Sequence, residues 1–162
     1  MEKFEATNFV KKEHETPWDI INHDLYGDGR HNNYYVTASI VWGNVDELYG
    51  LCVKNDATII SATMNHKELS WSGWQHRPKW VEDVVAKENA DNNVLVICDL
   101  EKADALQQEW ICHLVKAADS DFIGFKHYNP PKGKVKICLL WRGEPIHDIY
   151  EPLARRVMFI KL

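Results

Sequence analysis

The residues best suited to bind a ligand lie in one short polar stretch that carries three tryptophans. The set comprises Trp71, Trp74, His76, Arg77, Lys79 and Trp80. Flat aromatic side chains stack on bases or cover acyl and sugar surfaces, and cations beside them neutralise phosphate. We therefore take the first five of these residues as candidate ligand-binding residues for a nucleotide-like ligand. The alternative is structural: the tryptophans close the edge of the core, and the cations are simply solvated.

A second candidate site follows the apolar segment Val94–Cys98. Asp99 comes directly after this segment, and Glu101, Lys102 and Asp104 begin the next helical pattern. Ligands often bind where a central strand ends and a helix begins, because free backbone N–H groups and the helix dipole meet there. The alternative is ordinary capping, since acidic residues are favoured in a first helical turn for the same electrostatic reason.

Other common catalytic and metal-binding patterns do not occur in the sequence. None of the eight histidines forms a metal-binding signature such as His-Glu-x-x-His. Cys112 and His113 are neighbours on a predicted helix, where their side chains point about 100° apart, which does not suit one zinc ion. The chain also has no Gly-x-Ser-x-Gly sequence and no Walker motif. We therefore predict no metal site.

The composition is typical of a soluble, folded protein with one domain over residues 1–162. Hydrophobic residues make up 45% of the chain and charged residues 27%. The net charge of -5 argues against general nucleic-acid binding, because such proteins are usually basic. No apolar run is long enough to span a membrane, and the first residues lack the apolar core of a secretory signal. The four cysteines are spread singly through apolar segments, which predicts unpaired, mostly buried thiols and a cytoplasmic location.

Hydrophobic periodicity predicts the elements that would position these residues. Helices are expected over residues 79–87, 102–118 and 148–155, and a short one after Pro17. The long helix would pack on the sheet through Leu106, Trp110 and Leu114. Strands are expected over residues 34–42, 48–53, 57–64, 94–99, 121–127, 134–141 and 157–162.

The short spacing of the first three strands predicts an antiparallel meander. The whole pattern therefore predicts an α+β domain with a mixed, mostly antiparallel sheet and flanking helices. In an alternative reading, residues 45–53 form a helix, which would give a ferredoxin-like βαβ arrangement.

The order of these elements resembles a known enzyme fold. The matching pieces are Tyr35-Val36-Thr37-Ala38 with Leu48-Tyr49-Gly50-Leu51, then Val96-Ile97-Cys98-Asp99, then Phe122-Ile123-Gly124-Phe125-Lys126. Over roughly residues 33–141 the chain resembles the GNAT-type acyltransferases, and within them the toxin-activating lysine acyltransferases. The resemblance implies transfer of an acyl group from a thioester donor, an acyl-CoA or an acyl carrier, to an amine.

The same resemblance implies roles for particular residues. The acyl donor would lie along the central strand, beside Cys98, Leu100 and Lys102. His14 would act as the base, and Asp99 would orient it. The chain departs from the family pattern at residues 100–104, where the glycine-rich pyrophosphate loop of ordinary GNAT enzymes is replaced by an acidic segment without glycine.

A second functional class fits the sequence without any catalysis. The protein would be a small viral or bacterial inhibitor or immunity protein. It would capture a nucleotide-like ligand or a partner protein through the tryptophan-rich stretch. This hypothesis accounts for the missing phosphate loop, whereas the acyltransferase hypothesis accounts for the order of the elements.

Overall fold

The computed structural model describes residues 38–65, 68–69, 78–87, 94–119, 136–144 and 149–162. The strands in these ranges are β1 (Ala38–Gly43), β2 (Thr58–Ser61), β3 (Val94–Cys98), β4 (Lys136–Arg142) and β5 (Met158–Lys161). The α-helices are α1 (Asp46–Lys54), α2 (Lys79–Ala86), α3 (Ala105–Asp119) and α4 (Glu151–Ala154), and a 3-10 turn covers Leu100–Lys102. The strand predicted at 121–127 and the helix after Pro17 lie outside the described residues.

The five described strands form one sheet in the order β2-β3-β4-β1-β5, and every pairing between them is parallel. This corrects the predicted fold class: the sheet is not mixed and mostly antiparallel, and the protein is α/β rather than α+β. The GNAT-like meander and the ferredoxin-like sheet are both wrong for the same reason. Parallel strands cannot be joined by tight hairpins and need a crossover connection. Helix α1 lies in the connection from β1 to β2, which are separated in the sheet by β3 and β4.

Helix α1 replaces the strand predicted at residues 48–53. Leu48 and Cys52 are one helical turn apart, and both are fully buried against the sheet. Acidic residues occupy the first turn and Lys54 the last, which matches the helix dipole at both ends. The alternative reading that placed a helix over residues 45–53 is therefore correct for this element, although not for the sheet around it.

Strand β3 is an interior strand covered on both faces, as predicted. Its residues alternate between two buried clusters: Val94 and Val96 belong to one, and Leu95 and Ile97 to the other. Continuous apolar sequence is typical of such a strand, because neither face meets water. Helix α1 packs on the first cluster, whereas α2, α3 and α4 pack on the second.

Helix α3 buries most of the predicted face, and the prediction is wrong for Leu106. Ile111, Leu114 and Val115 are buried, and Trp110 packs partly against the core, but Leu106 is 53% exposed. The helix also begins later than residue 102, at a reciprocal cap. The Gln107 amide N–H donates to Asp104 Oδ1 at 2.7 Å, and the Asp104 amide N–H donates to Gln107 Oε1 at 2.9 Å. Leu106 therefore lies on the outer side of the first turn.

The remaining described elements and the thiols agree with the sequence predictions. Helices α2 and α4 and strand β5 lie within the predicted ranges, with shorter bounds. All four cysteines are free, and three of them are buried. Among the described residues, no helix has the length and apolar character needed to cross a membrane.

Candidate functional site

The carboxyl ends of parallel strands meet at one edge of the sheet, and a cleft of about 180 Å³ opens there. We call it the edge cleft. Its lining residues come from the ends of β3 and β4 and from the start of α1: Val45, Tyr49, Cys98, Asp99, Glu101, Leu140 and Arg142. The helices that follow β1 and β3 pack on opposite faces of the sheet. A crevice of this kind is where ligands bind in open α/β sheets.

Asp99 is held at the edge cleft by its backbone and by its neighbours. It has a left-handed conformation with φ 61°, which aspartate tolerates better than most residues. The Ser61 hydroxyl, at the end of β2, donates to Asp99 Oδ2 at 3.1 Å. Lys102 Nζ lies 3.8 Å from Asp99 Oδ1. The carboxylate is thus fixed at the strand end where the sequence predicted it.

Glu101 presents an unsatisfied acceptor at the same edge. Its Oε1 atom accepts from the Arg142 amide N–H at 3.1 Å. Its Oε2 atom is buried and has no hydrogen-bond partner within the described ranges. A buried carboxylate oxygen without a donor is costly. This atom is therefore suited to accept a hydrogen bond from a bound group.

Arg142, the cation that lines the cleft, is already paired. Its Nη2 atom donates to Asp46 Oδ1 at 2.6 Å. This hydrogen bond, and then the charge of Asp46, raise the pKa of Arg142. Asp46 neutralises Arg142, and Lys102 offsets part of the charge of Asp99, so Glu101 supplies the unpaired negative charge that a ligand meets. The cleft favours a cation over an anion.

The turn between β1 and α1 does not form a phosphate cradle. A strand followed by a loop and a helix is the layout in which P-loop proteins hold phosphate, through a glycine-rich loop with a lysine. Here only Asn44 and Val45 separate β1 from α1, and the first helical turn carries Asp46 and Glu47. These acidic side chains supply the negative charge that the helix N-terminus favours, so they disfavour a phosphate.

Cys98 is not an activated nucleophile. Its thiol is half-buried and donates to the Ile60 carbonyl at 3.3 Å. Burial, and then the negative charge of Asp99, raise the pKa of Cys98 to about 11. The thiol is therefore protonated at neutral pH, and the thiolate is the reactive form.

The structure brings together only part of the residues predicted from the sequence. Cys98 and Asp99 line the cleft, and Lys102 lies beside Asp99. The Leu100 side chain is fully buried in the core, so it does not face the cleft. Lys79 is exposed at the start of α2. The other predicted residues lie outside the described part of the chain: His14, Trp71, Trp74, His76 and Arg77.

The last tryptophan of the predicted cluster is a core residue. Trp80 is 6% exposed and packs among the buried residues of α2 and β2, and its indole N–H donates to the Glu68 carbonyl. For Trp80, the structural alternative is therefore correct. The binding role of Trp71 and Trp74 stays a prediction.

Sequence reasoning missed the cleft residues on α1 and at the end of β4. Tyr49 was placed on a strand, so its position at the mouth of a cleft was not foreseen. Arg142 is the last residue of β4, after an apolar run, and Asp99 directly follows β3. The strand-end rule that found Asp99 would also have found Arg142. The acidic start and basic end of residues 46–54 were the signal for the missed helix.

A larger groove of about 490 Å³ lies between α3 and α4, away from the edge cleft. Its lining includes Lys116, Arg155 and Arg156. Arg155 is paired with Glu151 at 2.5 Å, which offsets part of the positive charge. Helix α4 has only four residues, too few to provide an anion site at its N-terminus. No buried polar atom of the described groove residues lacks a partner. The groove is a broad basic surface, and the smaller edge cleft has the more specific chemistry.

The fold and the edge cleft define a parallel α/β protein with an acidic site at the carboxyl edge of its sheet. Comparison with protein-family models and with curated proteins gives no match.

Proposed function

We propose that this protein is a non-catalytic binding protein whose edge cleft accepts a positively charged hydrogen-bond donor, a guanidinium or ammonium group on a basic side chain of a partner protein. The volume of the cleft suits one side chain rather than a whole cofactor. Its carboxylates suit a cation, and its apolar walls at Val45, Tyr49 and Leu140 suit the methylene stem of arginine or lysine.

The observation that carries this proposal is the unsatisfied Oε2 atom of Glu101. The atom is buried, it is an acceptor, and it belongs to a residue that lines a cleft whose own cation is paired with Asp46. A charged donor that reaches it gains a charge-assisted hydrogen bond and removes a desolvation cost at the same time.

The acyltransferase activity with an acyl-CoA or acyl-carrier donor stays a prediction, and three features count against it. The resemblance that suggested it depended on a GNAT-like sheet, whereas the described strands are all parallel. The pyrophosphate of a CoA donor would also meet Asp46 and Glu47 at the start of α1. The protonated thiol of Cys98 offers no replacement nucleophile.

The experiment is a titration followed by amide NMR shifts, with three separate probes: N-acetyl-L-arginine amide, ATP and acetyl-CoA. We expect the arginine probe to shift amides near Val45, Glu101 and Arg142 with saturation, and the two anions to leave them unchanged. Saturable shifts at these amides with ATP or acetyl-CoA, and none with the arginine probe, would overturn the proposal.

A conservative variant sharpens the test. Glu101→Gln keeps an oxygen for the Arg142 amide N–H but replaces the buried acceptor with an amide nitrogen. We expect it to weaken arginine binding about tenfold or more, because a charge-assisted hydrogen bond is lost. The matched control, Glu151→Gln in the α3–α4 groove, should change binding by less than about twofold. Equal effects of the two variants would show that Glu101 has no special role.

A further inference from the structure

The outer face of α1 carries an apolar pair that the described part of the fold leaves exposed. Leu48 and Cys52 face the sheet, whereas Tyr49 is 42% exposed and Val53 is 55% exposed. These two residues are four positions apart, so they lie next to each other on the helix surface. Apart from them, the large apolar side chains exposed in the described residues are Leu106 and Leu162, which lie outside this helix.

Gly50 follows Tyr49 in the sequence and lies one helical turn before Val53. Nothing within the described fold requires a glycine at this position. Glycine destabilises a helix interior relative to alanine. Its backbone is helical, so no positive φ calls for it, and a Cβ built at this position would meet no atom within 4 Å. An exposed glycine on a helix lets another backbone approach closely. We call Tyr49, Gly50 and Val53 the α1 face.

The α1 face is continuous with the edge cleft. Tyr49 belongs to both, because it lines the cleft and 42% of its surface remains exposed. Asp46 lies one turn before Tyr49, but its charge is paired with that of Arg142. The negative charge at this end of the surface therefore comes from Glu101 and, offset in part by Lys102, from Asp99. The chemistry of the surface thus changes from acidic to apolar along one helix.

We propose that the α1 face docks an apolar segment of a partner protein whose neighbouring basic residue enters the edge cleft. The inference deepens the proposed function and rests on it. Charge complementarity selects the partner: the acidic cleft takes the basic side chain, and the apolar residues beside it in the partner cover Tyr49 and Val53. The missing side chain at Gly50 leaves room for the backbone of the partner.

The test compares two synthetic peptides on the full chain. One is acetyl-Leu-Leu-Arg-Leu-Leu-amide, and the other is acetyl-Ser-Ser-Arg-Ser-Ser-amide, which keeps the arginine without the apolar flanks. We expect the leucine peptide to bind at least about tenfold more tightly, because burial of large apolar side chains adds to the contact of the arginine.

Substitutions on α1 test whether the tighter binding of the leucine peptide depends on the α1 face. Gly50→Gln introduces a good helix former that occupies the docking space, so the advantage should fall to about twofold or less while the denaturation midpoint stays the same or rises. Val53→Ser should reduce it in the same direction. The matched control is Leu106→Ser, an exposed apolar residue on the other side of the sheet, which should leave the advantage unchanged.

The outcomes separate the two proposals. If the serine peptide binds and Glu101→Gln weakens it, but leucine flanks add nothing, the cleft binds arginine and the α1 face is not a docking surface. If leucine flanks help equally in the Gly50→Gln variant, the apolar contact lies elsewhere and the inference is wrong. If neither peptide binds, the proposed function fails and this inference fails with it.

Discussion

At the scale of single residues, the chemistry of the edge cleft depends on contacts between distant parts of the chain. Arg142 is 96 positions from Asp46, which neutralises it. Asp99 is 38 positions from Ser61, whose hydroxyl orients it. The Arg142 amide and Glu101 are 41 positions apart. Apart from the contact of Asp99 with Lys102, the charge and orientation of these groups are therefore set by the fold and not by sequence neighbours.

The raised pKa of Cys98 gives a prediction at this scale. Burial and the charge of Asp99 disfavour the thiolate, so iodoacetamide should modify Cys98 slowly at neutral pH, with a rate that keeps rising toward pH 11. Asp99→Asn removes the negative charge and should accelerate the modification at any given pH. The measurement is the pH dependence of alkylation at Cys98, followed by peptide mass spectrometry.

The fully buried Cys52 is the control in the same samples. Its pKa is raised further, to about 12, by burial, so it should react more slowly than Cys98 throughout. A rate at Cys98 that levels off near pH 8 would mean that the thiol is activated, and catalysis at this residue would have to be reconsidered.

A site residue could be predicted from the sequence only where local sequence determines its position. Asp99 was found because a polar residue after a continuous apolar segment marks a strand end from local sequence alone. Tyr49 and Val45 were missed because their position depends on whether residues 46–54 are helical. The pairing of Arg142 with Asp46 could not be predicted, because nothing local relates the two residues.

At the scale of elements, the sequence predictions were wrong for the type of element at residues 46–54 and for the start of α3, and the physical causes differ. In residues 46–54 the apolar side chains do not follow a single helical or alternating pattern, so the sequence is compatible with a strand or a helix. Gly50 lowers the helix propensity of the segment further. Burial of Leu48 and Cys52 against the sheet then decides in favour of the helix. In α3 the helix was predicted correctly, but its start was placed too early, so Leu106 was assigned to the wrong face.

A pair of alanine substitutions in α3 tests the corrected face. Leu114 is 1% exposed, so Leu114→Ala should lower the free energy of unfolding by about 2–5 kcal/mol through lost burial and a cavity. Leu106 is 53% exposed, so Leu106→Ala should change it by less than about 0.5 kcal/mol. Urea denaturation of both variants gives the two values. A similarly large loss of unfolding free energy in both variants would show that Leu106 is buried, as the periodicity predicted.

At the scale of the whole molecule, strand positions were predicted far better than strand pairing. Each of the five described strands overlaps a predicted strand, although β2 ends three residues earlier than expected and residues 48–53 are helical. Strand direction was wrong because local spacing suggested hairpins. β1 pairs with β4 and β5, which lie far along the chain, and such long-range pairings leave no signal in local periodicity.

The parallel arrangement is also what creates the site. Because every described strand points the same way, the ends of β1, β3 and β4 bring α1, Asp99, Glu101 and Arg142 to one edge. In an antiparallel sheet the carboxyl ends of neighbouring strands lie at opposite edges of the sheet. The corrected fold and the proposed function therefore depend on the same observation.

The most direct test of this account is a structure of the protein with N-acetyl-L-arginine amide bound. We expect a guanidinium nitrogen about 2.7–2.9 Å from Glu101 Oε2, the range of a charge-assisted hydrogen bond. We also expect Arg142 to keep its contact with Asp46. A structure in which the probe occupies the α3–α4 groove, or in which Glu101 Oε2 stays without a donor while the probe is bound elsewhere, would contradict it.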